Sequence, residues 1–499
     1  KLFESGRESR LFLSLGRKMK LLKHTKGIVD KIVGARKRSA MDKDGELLDP
    51  MQKYTTIGEY HVDAEDGTPD GKKFVLTVYQ DKDGILRQAL SSESTTELAP
   101  EYIRKYSNEL GRFRAFHSKK TGRRYLVEDY LDNYVSEVKK HIREGKNSVN
   151  IGVITDTHFK DKDSVDFYGW NGLQHVQEFA YLEKFGLLDL KAHLGDWIDG
   201  SDAGLIGESE LIKLKDSFKS DKVPYLNIKG NHDENDKFDE HHDLKASFPE
   251  NEFENIMWPD MYRQKGIHYV SRQHGVAYFD IDDVRVVSVN TSDLPYILDN
   301  KGHKRYDTKI TLAVREDQIE EIIEILTKSS NKKIIFMSHA NPINRKGSNA
   351  LKYNGRSLHE LLVAFNQREK GRMHASDGEP AEFRLSNYFD FTKVKNARIV
   401  AYFCGHRHRE DQYRINGIQY ILFNCSALMG PNHSLTTKYN KNLNRKIDHN
   451  NEFAGYIVNV DLKRHRIQSF GYGAASRRRV YFIWLKNGKA IWLLQVFSL

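Results

Sequence analysis

Seven short apolar runs decide what residues 149–475 can become: "VNIGVIT", "LKAHL", "VPYLNIKG", "VRVVSVN", "KKIIFMS", "ARIVAYF" and "IQYILFN". They read as near-continuous strands, the pattern of sheets covered on both faces. Between them lie segments of helical period, "GLQHVQEFAYLEKFG", "REDQIEEIIEILTK" and "SLHELLVAFNQ". Strands alternating with helices predict an α/β domain with a sheet core.

The residues that end these runs point to chemistry. "VITDTH" places Asp156 and His158 after the first strand, and "HLGDWID" places Asp196 after the second. "IKGNHDE" places Asn231 and His232 after the third, "FMSHANP" places His339, and "YFCGHRH" places His406 and His408. Open α/β sheets bind ligands outside the carboxyl ends of their strands. Five strand ends therefore offer carboxylate, amide and imidazole groups to one region. Such a set, without thiolate, suits divalent manganese, iron, zinc or nickel. A lone Asp-x-His arises by chance about once in a chain of this length, but five such endings in order do not.

"DTH", "GDWID", "GNHD", "SH" and "GHRH" resemble, in order and type, the motifs of the calcineurin-like metallophosphoesterases over roughly residues 149–430. The resemblance implies a two-sheet sandwich flanked by helices and a centre of two divalent metal ions, manganese first among the candidates. It implies that one ion is held by Asp156, His158, Asp196 and His408. The other is held by Asp196, Asn231, His339 and His406, with Asp196 bridging. Paired cations clamp a phosphate and acidify a bridging water, so the expected reaction is phosphoester hydrolysis by a metal-bridging hydroxide. His232 is the candidate acid for the leaving group, and Asp199 is the carboxylate expected to orient it. In the protein phosphatase branch an arginine follows the "GDxxD" motif, whereas this chain has Gly200 there. The expectation is therefore a phosphodiesterase. A repair-type DNA nuclease is one alternative. An assembly component, such as a phage tail protein carrying an envelope-polymer phosphodiesterase, is another. Weaker substrate-contact candidates are His241, His242, Asn341 and Arg345. Asn424 and His433 lie late in the domain and are further candidates to reach the site.

The rest of the chain is less specific. Residues 1–45 are basic, with an apolar stripe at Leu11, Leu15, Met19, Leu22, Val29 and Val33 at helical spacing. They read as a helical arm that packs on a neighbouring element or, together with residues 46–148, docks an assembly partner. Residues 46–148 read as a small α+β accessory module. In it "KFVLTVYQDKDGILRQAL" forms a hairpin and "YLVEDYLDNYVSEVKKHIREG" an amphipathic helix. Residues 476–499 read as an apolar C-terminal hairpin around "KNGK".

Net charge is +10, but residues 1–40 carry twelve Lys/Arg against three Asp/Glu, a net of +9, which leaves +1 for the remainder. A near-neutral body does not favour a nucleic-acid surface. Two cysteines, Cys404 and Cys425, exclude a disulfide framework or a thiolate zinc site. No run reaches the roughly 18 apolar residues of a membrane span. "LFLSL" is too short for a signal-peptide core, so the expected location is cytoplasmic or virion-associated.

Overall fold

The computed structural model describes strand segments 55–62, 74–80, 86–91, 115–117 and 124–126. From there it describes residues 127–482 apart from 162–166, 170, 237–246, 375–378, 431–444 and 446–450. The basic arm, His241, His242, His433 and residues 483–499 of the expected C-terminal hairpin lie outside the described residues.

The chain divides into two compact units. The first contains β1 (Thr55–Val62), β2 (Phe74–Gln80) and β3 (Leu86–Ser91), an antiparallel sheet in that order. Gln80 pairs with Leu86, the register expected of strands joined across the Asp-Gly dipeptide. It also contains the antiparallel pair β4 (Ala115–His117) and β5 (Arg124–Leu126). Helix α1 (Val127–Lys139) follows.

The strands of the second unit are β6 (Ser148–Ile154), β7 (Leu190–His193), β8 (Tyr225–Asn227), β9 (Ile267–Tyr269), β10 (Ala277–Ile281), β11 (Val284–Ser288) and β12 (Lys333–Ser338). They continue with a small pair, β13 (Lys370–Arg372) and β14 (Tyr388–Asp390). The last are β15 (Arg398–Cys404), β16 (Asp411–Ile415), β17 (Ile418–Leu422), β18 (Ala454–Asp461), β19 (Arg466–Gly473) and β20 (Arg479–Phe482). Its helices are α2 (Asn171–Ala180), α3 (Gly204–Phe218), α4 (Glu252–Tyr262), α5 (Glu316–Thr327) and α6 (Gly355–Gln367). Among the described residues no helix is long and apolar enough to cross a membrane.

Two large sheets result. One runs β20-β19-β18-β6-β7-β8, the other β16-β17-β15-β12-β11-β10-β9. Each has a parallel part, β6-β7-β8 and β11-β12-β15-β17, with antiparallel strands beside it. The expected two-sheet sandwich flanked by helices is the fold found.

Strand burial follows from the sequence. One face of the second sheet, with Val287, Phe336, Tyr402 and Tyr420, packs on Ile319, Ile322, Leu358 and Leu362 of α5 and α6. The alternate residues Val286, Ile335, Met337 and Phe403 are equally buried, so apolar side chains occupy both faces of these strands. Burying a Val, Ile or Leu side chain stabilises by roughly 1.5–3 kcal/mol, which is why these runs carry no alternation of apolar and polar residues. In the first sheet Gly152 leaves room for Phe179 of α2, whose ring a Cβ would meet at 2.9 Å.

The parallel core strands bring their carboxyl ends to common edges, and the loops leaving them interlock. The Asp156 N–H donates to Gly195 O (2.9 Å), and the Gly405 N–H donates to His339 O (2.9 Å). His339 Nδ1 donates to Leu194 O (2.9 Å), joining the two sheets where the motif residues sit.

Candidate metal centre

The motif residues leave their strands through left-handed backbone. Asp156 (φ 54°), His158 (44°), Asp196 (54°), His406 (65°) and His408 (50°) all have positive φ. The left-handed region costs an L-residue roughly 1–2 kcal/mol, and residues held there cluster at functional sites. These turns aim successive side chains inward from chain that no longer alternates. Strand alternation is therefore not what places His406 and His408. Each takes its own left-handed step, with exposed Arg407 between them.

Two glycines permit close approach. A Cβ on Gly405 would lie 1.9 Å from Thr155 Oγ1 and 2.5 Å from Asp156 Oδ2. A Cβ on Gly230 would lie 2.3 Å from Asp196 Oδ1.

The side chains converge in two lobes. In the first, His158 Nε2 is 3.0 Å from His408 Nε2, which is 3.2 Å from Asp156 Oδ1. In the second, Asn231 Oδ1 lies 2.9 Å from both His339 Nε2 and His406 Nδ1, and those two nitrogens are 3.2 Å apart. Asp196 Oδ2 reaches both lobes, 3.5 Å from His158 Nε2 and 3.2 Å from His339 Nε2. Its other oxygen accepts the His232 N–H (2.9 Å).

These spacings fit a pair of cations. Bonds of about 2.0–2.2 Å at roughly tetrahedral to octahedral angles set neighbouring ligand atoms about 2.9–3.5 Å apart. Because His339 Nδ1 donates to Leu194 O, its Nε2 is the nitrogen left to ligate.

A family model described as calcineurin-like phosphoesterase matches residues 149–410, just over half of the chain. The chain belongs to the calcineurin-like phosphoesterases. Among solved structures it is similar to a dimetal phosphatase from Danio rerio, at 12% identity and a TM-score of 0.44, covering 68% of this chain and 100% of that one. It is also similar to a purple acid phosphatase from yellow lupin seeds, at 11% identity and a TM-score of 0.37, covering 85% and 66%. No curated protein matches the chain.

Electrostatics in this phosphoesterase favour cations. Burial raises the Asp196 carboxyl, but His339, His232 and His158 hold it well below the usual carboxylate range. Burial opposes a charge on His339, yet Asp196 pushes it up to about 9. Against the same burial, Asp156 pushes His408 up to about 10. Burial and the neighbouring His339 drive His406 down to about 3. The carboxylates thus hold protons on nitrogens that face other nitrogens. A divalent cation substitutes for such protons, so uptake releases them and weakens as pH falls.

His232 stands beside both lobes. Its Nε2 is 4.0 Å from Asp196 Oδ2 and its ring meets His158 edge-on at 4.6 Å. Asp199 does contact it, but through the main chain: His232 Nδ1 donates to Asp199 O (2.7 Å). The Asp199 carboxylate accepts from Ser201 Oγ, although it remains near the His158 and His232 rings. The turn after "GDWID" thus adds a carbonyl contact to the ring beside the expected carboxylate.

Asp233, to which sequence reasoning gave no role, holds the site's loops. It accepts the N–H groups of Asp196 (3.0 Å), Trp197 (2.7 Å) and Gly230 (2.7 Å). Its place as the last letter of "GNHD" was the available signal. Burial and the Asp196 charge push it up to about 7.

Two of the residues expected to contact substrate have partners within the protein. Asn341 uses its amide nitrogen on Ile343 O (2.8 Å) and Tyr413 Oη (3.1 Å), fastening its loop. Arg345 is an exposed side chain paired with Asp411 on β16. Asn424 is buried, its N–H donating to Tyr456 Oη (3.0 Å). His175 and His359 are structural. The first bonds Ser426 and Tyr472, the second Tyr420 and Asn416. Cys404 and Cys425 are buried and form no disulfide.

Proposed function

We propose that this chain is a dinuclear metal-dependent phosphodiesterase, with Asp156, His158, Asp196 and His408 holding one ion and Asp196, Asn231, His339 and His406 the other. The observation that carries the reading is the two-lobed cluster sharing Asp196 Oδ2. When bound, the two cations supply Lewis acidity toward the phosphate oxygens and toward water. Manganese suits the donor set.

The chain's own groups do the rest. Asp233 and Gly230 fix the Asp196 loop. The Asp199 carbonyl holds His232 Nδ1–H, which aims Nε2 toward the centre, where it hands a proton to the departing alkoxide. Gly200 supports a diester over a phosphoprotein substrate. At φ 72°, with a Cβ meeting His232 O at 2.5 Å, it has no room for a phosphate-binding side chain.

The test compares bis(p-nitrophenyl) phosphate with p-nitrophenyl phosphate, with added Mn2+ and with chelator. Diester cleavage that chelation abolishes is the expected result. Failure of every divalent ion to give turnover would sink the enzyme reading. A strong monoester preference would sink the diester reading. A parallel arm with single-stranded DNA tests the nuclease alternative.

A further inference from the structure

The turn that carries Asn231 and His232 serves a second site. A few residues on, Glu234 and Asp236 line a concavity of about 80 Å3, several times what one water needs. The segment around Thr308 is shared in the same way. Lys309 O accepts from Asn231 Nδ2 (3.1 Å), while the Thr308 N–H and Oγ1 donate to Asp236 Oδ2 (2.8 and 2.7 Å). Metal centre and concavity therefore share two pieces of chain.

The walls alternate in charge. Lys229 bridges Glu234 and Glu254 (2.6 Å to Glu254), Lys304 bonds Asp236 (2.7 Å), and Arg315 bonds Asp293 (2.7 Å). Among the described residues, Ser292, 1% exposed and lining the space, has an Oγ with no partner, and Glu254 Oε2 has none either. Tyr296, Tyr306 and the Leu294-Pro295 pair add apolar facets.

This lining selects by elimination. Five carboxylates against three cations repel an anion. An apolar ligand would strip water from charged groups and return no hydrogen bonds. A metal ion would have to displace lysines already seated on the carboxylates. A hydroxyl, by contrast, donates and accepts at once, and so matches an ammonium and a carboxylate held side by side. A ring or chain of such hydroxyls also has C–H faces for tyrosine.

We propose that this concavity binds a neutral polyhydroxylated group, a sugar or an open-chain polyol. We assign it as the alcohol arm of the phosphodiester cleaved at the adjoining centre, an assignment that rests on the function proposed above.

The test has two stages. Saturation-transfer NMR on the full chain with glycerol, ribitol and glucose needs no turnover. Transfer to at least one of them, weakened about tenfold in Tyr296→Ala and Ser292→Ala, is expected. Transfer to none, or to tetramethylammonium instead, overturns the pocket. The second stage compares kcat/KM for a glycerol-bearing aryl phosphodiester with that for bis(p-nitrophenyl) phosphate, in the presence of Mn2+. The ratio is expected to fall about tenfold in both variants, and an unchanged ratio overturns the substrate-arm assignment. Polyol binding without any turnover refutes the phosphodiesterase and keeps the pocket. Turnover without polyol binding does the reverse.

Discussion

Replacing Gly405 by alanine should break the metal centre without touching a ligand. Gly405 is not among the positive-φ residues, so alanine suits its backbone and the added methyl is the whole perturbation. That methyl would lie 1.9 Å from Thr155 Oγ1, 2.5 Å from Asp156 Oδ2 and 2.9 Å from Thr155 Cβ, where ordinary contact begins at 3.4 Å. The β6 exit must therefore retreat by about 1.5 Å, the difference between 3.4 and 1.9 Å. Rotating Thr155 relieves one contact but gives up its 2.6 Å bond to Asp156 Oδ2 and leaves the other two. Metal sites tolerate errors of about 0.2 Å in ligand distance, so the Asp156 lobe cannot stay assembled. Overpacking costs roughly 1–3 kcal/mol, which the fold can absorb. A misplacement of this size costs about 100-fold in rate. The assay is metal content by mass spectrometry alongside bis(p-nitrophenyl) phosphate turnover, with circular dichroism to confirm folding. A folded Gly405→Ala protein with two ions per chain and turnover within about twofold of the parent would refute the reasoning.

The other expectations are briefer. His232→Gln should lower turnover about 100-fold while metal content stays at the parent value, and loss of an ion would make His232 a ligand. Asp196→Asn should reduce affinity for both ions together in a metal titration, and loss of one alone would exclude a shared oxygen. Chelation should lower the melting temperature and Mn2+ should restore it, since an ion bound to the folded state stabilises it by mass action; an unmoved melting curve argues against a loaded centre.

Glu210 provides a pH test away from the ligands. Burial, and then Asp202, push its carboxyl up to about 10. The folded state thus holds a proton that the unfolded state releases near pH 4.5, and the contribution to stability is fully present below that pH. It is lost as pH rises toward 10. Glu210→Gln should flatten this decline in denaturant titrations from pH 5 to 9, and parallel curves for the two proteins would refute it.

Much of the core and of the ligand set was legible because both are local in sequence. Each of the seven apolar runs lies on a strand, and each motif stands where its strand ends. The antiparallel strands were harder to see. β18, "AGYIVNVD", breaks its apolar run with Asn459 and Asp461, both buried, and Asn459 finds Asn150 across the sheet at 2.8 Å. β9 and β10 are short and partly exposed, so no period stands out. The Asp199 carbonyl contact was not legible because a main-chain carbonyl has no letter of its own. The second concavity was invisible for a different reason. Its Lys229, Asp236, Lys304 and Arg315 come from segments about 80 residues apart, and singly each reads as solvated surface.

The left-handed exits from the strands restrict how this centre can be probed, or changed by mutation. Asp, Asn and His are the non-glycine residues that best tolerate positive φ, and they are also the oxygen and nitrogen donors of the cluster. At Asp156, His158, Asp196, His406 and His408, conformation and coordination therefore draw on one short alphabet. Alanine there removes a donor and adds backbone strain, so its effect mixes two causes. Glycine removes the donor and releases the strain. The glycine variants are accordingly the cleaner knockouts, and they should leave a protein that binds less metal yet resists unfolding better than its alanine counterpart.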